Sequence, residues 1–127
     1  MSDDWGTPLW IWDLFDDWFD PCPIRGLENG HVKDGLEGDI WSANRIFINP
    51  PYSNPQPWVE KAIRTKKSDP IFPAQIVMLL RHDSSTQWYR MLKEAGARFL
   101  MIEGRLRFRG LGTDTKPANF PSVLVVL

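Results

Sequence analysis

The chain has 127 residues, of which 43% are hydrophobic and 24% charged, so it offers enough material for one compact globular domain. Its formal net charge of −1 gives no overall attraction to a polyanion, which counts against the hypothesis that its main function is to bind nucleic acid. The single cysteine excludes an internal disulfide, and no Cys/His group has zinc spacing. No apolar run approaches the roughly 18 residues of a membrane span. We therefore expect a cytoplasmic protein without a metal or membrane partner.

The first element predicted is a helix near the N-terminus. Thr7 before Pro8 is typical of a helix start, because a Thr hydroxyl can accept an otherwise unsatisfied backbone N–H and proline is pre-set for the first helical position. We therefore predict a helix over about residues 8–17. Its apolar face should consist of residues spaced along one side of a helix: Leu9, Trp12 and Phe15.

A very short strand and a long loop are predicted next. Residues 18–20 favour a strand that runs into a turn, because Pro21 forces Asp20 out of the helical conformation. Residues 24–45 contain several glycines without strong hydrophobic periodicity, so we predict mostly loop there.

A strand over residues 45–48 should end at a pair of prolines. The run Arg45 to Ile48 is rich in residues that favour β-structure, and Pro50 and Pro51 cannot continue the interior of a sheet. Asn49 is therefore expected at the carboxyl end of this strand.

Two helices are predicted around a second strand. The first should be capped by Ser53 or Asn54 and should end at Lys66–Lys67, whose charges suit a helix C-terminus. Residues 75–80 form a nearly continuous apolar run, typical of a strand buried on both faces of a parallel sheet. The second helix should begin at Ser84 or Ser85.

The C-terminal third is predicted to be mainly β-structure. Residues 99–102 favour a strand, residues 105–108 should open a hairpin, and residues 122–127 should form the closing strand. Strands that alternate with helices through short links predict an α/β fold: a minimal, Rossmann-like three-layer (αβα) domain over residues 1–127, with a mostly parallel sheet and a C-terminal hairpin. Ligands of such folds bind beyond the carboxyl ends of the strands.

Asn49-Pro50-Pro51-Tyr52 carries the clearest chemical signal. An exocyclic amine on an aromatic ring is a poor nucleophile, because its lone pair is delocalised into the ring. The Asn49 side-chain oxygen and the Pro50 carbonyl can each accept one amine hydrogen, which favours a pyramidal nitrogen. Tyr52 offers a flat face on which a base removed from a duplex can stack. A proline-rich turn after a strand is the alternative interpretation.

Short motifs shared with one family are spread over nearly the whole chain: Trp5-Gly6-Thr7-Pro8, Phe19-Asp20-Pro21-Cys22, Asp34-Gly35-Leu36 followed by Trp41, Asn49-Pro50-Pro51-Tyr52-Ser53 with Trp58, Ser84-Ser85-Thr86 with Trp88, and Gly104-Arg105-Leu106-Arg107-Phe108. In this series the chain resembles the small phage- and prophage-type DNA adenine methyltransferases. The resemblance implies the methyltransferase form of the αβα fold, S-adenosylmethionine as methyl donor and S-adenosylhomocysteine as product. It also implies adenine in DNA as the substrate and, for a viral protein, the host cytoplasm as the location.

The resemblance also implies residue roles. The Thr7–Pro8 element would place a backbone group against the methionine part of the cofactor, Asp20 would lie near its ammonium group, and Asp34 would accept from its adenine amine. A turn residue before a proline is the alternative for Asp20, and a solvated turn residue for Asp34. The implied cofactor-binding residues are Trp5, Thr7, Pro8, Asp20, Pro21, Cys22, Asp34 and Asn49, and the implied catalytic residues are Asn49, Pro50, Pro51 and Tyr52.

The predicted DNA contacts lie in two segments. Arg105, Arg107 and Arg109 alternate at strand spacing, so one face of a hairpin would carry three guanidinium groups toward phosphates. A solvated strand edge is the alternative, because exposed strands often carry charge that prevents pairing. Ser53 and Phe108 complete the predicted DNA-binding set.

Two features depart from the family pattern. Pro23 stands where the first-strand signature continues with closely spaced glycines, and it lacks a backbone N–H. No stretch of the chain is long enough to form a separate target-recognition domain. Two other functions stay open. The chain could methylate cytosine, an RNA base or a protein amide, or it could be a degenerate relative that binds DNA or a partner without catalysis. A homodimer, whose second copy would widen the DNA surface, also stays open.

Overall fold

The computed structural model describes residues 6–22, 35–107, 117–118 and 120–127 of the chain. Helices and strands alternate through the middle of this part of the sequence. In chain order the elements are α1 (Leu9–Trp12), β1 (Arg45–Ile48), α2 (Gln56–Ser68), β2 (Gln75–Arg81), α3 (Gln87–Glu94), β3 (Arg98–Met101) and β4 (Ser122–Val126). The strands predicted around positions 45–48, 75–80, 99–102 and 122–127 are thereby confirmed within one or two residues.

The four strands form one mixed sheet in the order β1-β2-β4-β3. β1 and β2 are parallel, whereas β4 pairs antiparallel with β2 on one side and with β3 on the other. The α/β class is confirmed. A mostly parallel, Rossmann-like sheet is not, because only one of the three strand pairs in the described sheet is parallel. The composition of β4 predicts a strand but contains no information on its direction.

Each face of the sheet packs against a different layer. Along β2, Ile76, Met78 and Leu80 contact one apolar cluster, and the alternate residues Val77 and Leu79 contact another. The first cluster is completed by the buried faces of α2 and α3, and the second by side chains from α1 and from the C-terminal segment. The apolar run of β2 is therefore buried on both faces, as its sequence predicted.

The N-terminal helix is shorter than predicted, and a different side chain is buried. α1 has four residues instead of about ten, and Ile11 is fully buried while Leu9 is 60% exposed. The chain leaves the helix so that the ring of Phe15 stacks on Phe47 of β1, with centroids 4.7 Å apart. Tertiary aromatic packing thus outweighs helix continuation. Thr7 is not the cap, because Pro8 occupies that position and no side chain caps α1.

The caps of the longer helices also differ from the prediction. Pro55, preceding α2, stands in place of Ser53 or Asn54 and provides no side-chain cap, while Lys66 and Lys67 do lie in its last turn. The hydroxyl of Thr86, one residue beyond the predicted Ser84–Ser85 start, accepts from the Tyr89 backbone N–H at 3.3 Å. No helix among the described residues is long and apolar enough to cross a membrane.

The residues that the structure describes do not show the hairpin predicted to open at Arg105, and most of that hairpin lies outside them. Arg105, Leu106 and Arg107 lie in no strand. The Leu106 side chain is instead buried in the second cluster, and its carbonyl accepts from the Ala118 N–H at 2.8 Å. Arg105 and Arg107 are exposed on either side of the buried Leu106, so the alternation is present here without an assigned strand. Residues 108–116 lie outside the described part of the chain.

Candidate active site

Asn49 lies where the sequence predicted, directly after the last residue of β1. Its side chain is 8% exposed, and its Nδ2 donates to Oγ1 of Thr7 at a distance of 3.2 Å. Thr7 is 1% exposed, and this bond joins residues 42 positions apart in the chain. Pro50 is buried behind Asn49, and Pro51 is half-buried. The end of β1 therefore contains a fixed polar pair that no short-range sequence pattern predicts.

Tyr52 is half-buried and packs into the second cluster. Its ring meets the ring of Phe120 edge-on, with centroids 5.1 Å apart and planes inclined by 71°. Burial of the phenol raises the pKa of Tyr52 far above its ordinary value, which favours the protonated form. Ser53, the next residue, is exposed.

The turn at Asp20–Cys22 lies at the same edge of the sheet as Asn49. Phe19 forms a parallel bridge with Ile46 of β1, so both segments run toward this edge. Oδ1 of Asp20 accepts from the Cys22 backbone N–H at 2.8 Å, which agrees with the turn interpretation. A carboxylate has about four acceptor positions on its two oxygens, so the same side chain also suits a ligand ammonium group.

Gly35 brings a second segment against this turn. A Cβ atom at Gly35 would lie 2.1 Å from the Pro21 carbonyl oxygen and 2.7 Å from the Trp58 ring, so only glycine fits. The residue that follows Asp34 is therefore held beside the Asp20–Cys22 turn. Two segments implied to bind the cofactor meet at this contact, and their carboxylate chemistry fits its cationic and amine groups.

α2 anchors the loop over residues 35–41 through a buried lysine. Lys61 is 1% exposed, and its Nζ donates to the Gly35 carbonyl at 3.0 Å and to the Glu37 carbonyl at 2.6 Å. The same Nζ lies 5.3 Å from the Trp41 ring centroid, within cation–π range. The Trp41 indole N–H also donates to the Gly35 carbonyl, at 2.7 Å. The Gly35 carbonyl thus accepts from one side chain of α2 and from one side chain of the loop itself.

A second contact holds the end of this loop one turn further along α2. The Thr65 hydroxyl accepts from the Trp41 backbone N–H at 3.1 Å, and both residues are buried. The Trp41 and Trp58 rings stack with centroids 6.3 Å apart. The sequence analysis missed Lys61 and Thr65. A signal was present, because Lys61 and Thr65 interrupt the apolar stripe of α2, where only buried side chains are expected.

Comparison with known proteins identifies the family. Residues 28–127 match the family model described as DNA N-6-adenine-methyltransferase (Dam). The chain belongs to this family. It is 30% identical, over an alignment of 140 residues, to a DNA N-6-adenine-methyltransferase of Haemophilus phage HP1 (strain HP1c1), covering 98% of this chain and 78% of the relative.

A second phage relative matches over a shorter stretch. A DNA N-6-adenine-methyltransferase of Escherichia phage T1 is 37% identical over 67 residues, which cover 52% of this chain and 26% of the relative. No solved structure matches the chain.

The remaining predicted site residues of this Dam-family chain fall into two groups. Arg105 and Arg107 are exposed, as a contact to phosphates requires. The others lie outside the described residues: Trp5, Asp34, Phe108 and Arg109. Pro23, the departure from the family pattern, lies outside them as well. Within the described part of the chain, no group of His, Cys, Asp or Glu side chains is arranged to hold a metal ion.

Proposed function

We propose that this chain transfers a methyl group from S-adenosylmethionine to the exocyclic amine of adenine in DNA. The position of Asn49 carries the proposal, because its buried carboxamide follows β1 directly and the Pro50 carbonyl comes next along the chain. Membership of a family described as DNA N-6-adenine-methyltransferase supports both the reaction and the substrate.

Asn49 and Pro50 would supply two oxygen acceptors to the target amine. Each oxygen accepts one amine hydrogen, which draws the lone pair out of the ring and toward the attacking direction. The rings of Pro50 and Pro51 restrict the backbone on both sides of the Pro50 carbonyl and so hold its direction. When bound, S-adenosylmethionine supplies a methyl group on a positively charged sulfur. The protein contributes mainly by holding the amine nitrogen in line, an effect worth several orders of magnitude in rate.

The cofactor would bind at the edge of the sheet where Asp20 and Gly35 meet. Thr7, Pro8, Pro21 and Cys22 belong to the segments that border this edge. Asp20 would accept from the cofactor's ammonium group, and the backbone at Gly35 would fix the position of Asp34. The Lys61 and Trp41 contacts to the Gly35 carbonyl support this assignment, because they hold the loop before any ligand binds.

Tyr52 would stack on the flipped adenine, with Phe120 supporting the ring through its edge-on contact. Ser53 is exposed beside it and would contact the DNA backbone. Arg105, Arg107 and Arg109 would contact phosphates, and Phe108 of the same segment would contact the DNA through its ring.

The proposal is tested by supplying purified protein with S-adenosylmethionine labelled in its methyl group. Separate incubations contain double-stranded DNA, single-stranded DNA, RNA and a protein extract, and the DNA and RNA are digested to nucleosides for mass spectrometry. We expect label in DNA as N6-methyldeoxyadenosine. Label in cytosine, in RNA or in a protein amide would replace adenine in DNA with that acceptor. A cofactor that binds without transfer to any pool would indicate a degenerate relative.

A further inference from the structure

The hydrogen bond between Thr7 and Asn49 joins two side chains that both precede a proline. Thr7 is followed by Pro8 and Asn49 by Pro50, and a residue before proline is restricted to extended backbone conformations. Both residues are buried, and the donor–acceptor distance is 3.2 Å. The backbone restriction at both residues therefore limits the directions in which the two side chains can point, so the hydrogen bond fixes the position of one side chain relative to the other.

The bond has the Thr7 hydroxyl as acceptor, which matches one of the two orientations of the Asn49 carboxamide; in the reversed orientation the same hydroxyl would donate to the amide oxygen. A carboxamide has an oxygen that only accepts and an NH2 group that only donates. The amine of adenine must meet an acceptor, because a donor would place hydrogens against hydrogens. With Nδ2 donating to Thr7, Oδ1 lies on the opposite side of the amide group. A neighbour that only donates would favour the reversed, unproductive orientation.

The hydroxyl of Thr7 serves Asn49 and does not cap α1. Pro8 occupies the cap position, and α1 has no side-chain cap bond. Thr7 is β-branched, so its side chain has few rotamers and the hydroxyl direction is narrowly set. The backbone of the same residue can meanwhile face the cofactor, since the side chain and the backbone serve different partners.

We infer that the Thr7 side chain is a positioning residue that holds the Asn49 carboxamide with its oxygen toward the target amine. The inference rests on the proposed function, because it assigns Thr7 a role in orienting the acceptor of that reaction. It adds to the cofactor-side role that the resemblance implies for Thr7. The two roles predict changes in different kinetic constants. A misoriented acceptor lowers kcat, whereas weaker cofactor binding raises the KM for S-adenosylmethionine.

The test compares Thr7→Val, which removes the acceptor at nearly constant shape, with Thr7→Ser, which keeps it. We expect kcat for DNA methylation to fall on the order of 10²-fold in Thr7→Val, since misplacement of a reacting group by about 1 Å has effects of that size. Thr7→Ser should keep kcat within about fivefold of the parent. The dissociation constant for S-adenosylhomocysteine, measured by calorimetry, should stay within about twofold in both variants.

Thr86→Val is the matched control, because it makes the same chemical change at a hydroxyl that accepts a backbone N–H far along the chain from the site. It should lower the thermal midpoint, through the loss of the α3 cap, and leave kcat unchanged. A kcat loss in Thr86→Val equal to that in Thr7→Val would assign both effects to stability and overturn the inference.

A second readout uses the ligand-free protein. The side-chain NH2 signals of Asn49, identified in ¹⁵N-correlated NMR spectra by their absence in Asn49→Asp, should move in Thr7→Val and stay in place in Thr86→Val. Unmoved signals in Thr7→Val would overturn the inference.

If Thr7→Val does not fold, Thr7→Ala and Thr7→Ser are compared by their kcat values, and equal values would contradict the inference. A parent protein that methylates no DNA would refute the proposed function, whereas an active parent and an equally active Thr7→Val would refute only the role of Thr7.

Discussion

The end of β1 and the loop over residues 35–41 are built in different ways. At the end of β1, Asn49 is tied to Thr7 by a hydrogen bond between neutral groups. The loop is held from α2, where the charged amine of Lys61 donates to two loop carbonyls and lies against the Trp41 ring. Hydrogen bonds that involve a charged group contribute about twice as much as neutral ones.

This difference indicates a division of labour between the two regions. The loop is held in the fold by Lys61 of α2, which is buried where a charge is costly unless it is paired. The end of β1 carries polar groups whose arrangement suits a reaction and contributes little to folding. Substitutions should therefore separate the two regions, with losses of stability in the loop and losses of activity at Asn49.

The largest effect on stability is expected for Lys61→Met. Methionine can fill much of the space of the lysine stem, but it leaves the Gly35 and Glu37 carbonyls without their charged donor. We expect the free energy of unfolding to fall by about 2–4 kcal/mol, measured by urea denaturation. Lys67→Met is the control, an exposed lysine of the same helix, and should change it by no more than about 0.5 kcal/mol. Equal losses in both variants would show that Lys61 does not anchor the loop.

Tyr52 combines a role in stability with a role in the reaction, because its ring packs on Phe120 and would also stack on the target base. Tyr52→Phe keeps the ring and should retain substantial activity. Tyr52→Ala should weaken base binding by about 1–3 kcal/mol, which lowers the rate at subsaturating DNA roughly 5- to 150-fold.

The control for Tyr52→Ala is Tyr89→Ala, which removes a half-buried ring stacked on Phe99 at 4.5 Å. Both alanine variants should lower the thermal midpoint, since each removes a ring that packs against another ring. Only Tyr52→Ala should lose methyl transfer beyond the fraction of protein that is unfolded. If activity falls in proportion to stability in both variants, Tyr52 contributes only to packing.

The smallest effect is expected for the exposed arginines. Replacing Arg105 and Arg107 with glutamine should reduce the slope of log affinity for DNA against log salt by roughly 0.9 for each phosphate that is no longer neutralised, with little change in the thermal midpoint. Arg98→Gln is the control, because Arg98 is exposed on β3, which is the outer strand on the other side of the sheet from β1 and Asn49. An unchanged slope in the double variant would mean that these charges only solvate the surface.

The parts of the fold that were predicted correctly are those decided by neighbouring residues. The strand at Arg45–Ile48, its end at the proline pair and the apolar strand β2 follow from local composition. The direction of β4 was not predictable, because strand pairing depends on residues far apart in the chain. The N-terminal helix was predicted too long, since the stacking of Phe15 on Phe47 is a tertiary contact.

The candidate site shows the same limit. The Asn49–Tyr52 motif is contiguous, so its position could be predicted, and its chemistry could be proposed. Thr7 was interpreted as a helix cap, because the signal for a cap and the signal for a long-range acceptor are the same hydroxyl before a proline. Lys61 was missed, because a lysine in a helix is usually exposed and its carbonyl partners lie 24 and 26 positions away.

The most direct test of the central claim is a paired measurement on Asn49→Ala, of methyl transfer to DNA and of the thermal midpoint. The variant loses one neutral hydrogen bond, so its stability should fall by only about 0.5–1.5 kcal/mol, and its affinity for S-adenosylhomocysteine should stay close to that of the parent. Methyl transfer should fall on the order of 10²–10³-fold or more, as when one preorganised group is removed from an active site. Substantial activity in Asn49→Ala, or an activity loss fully matched by unfolding, would contradict the amino-methyltransferase mechanism.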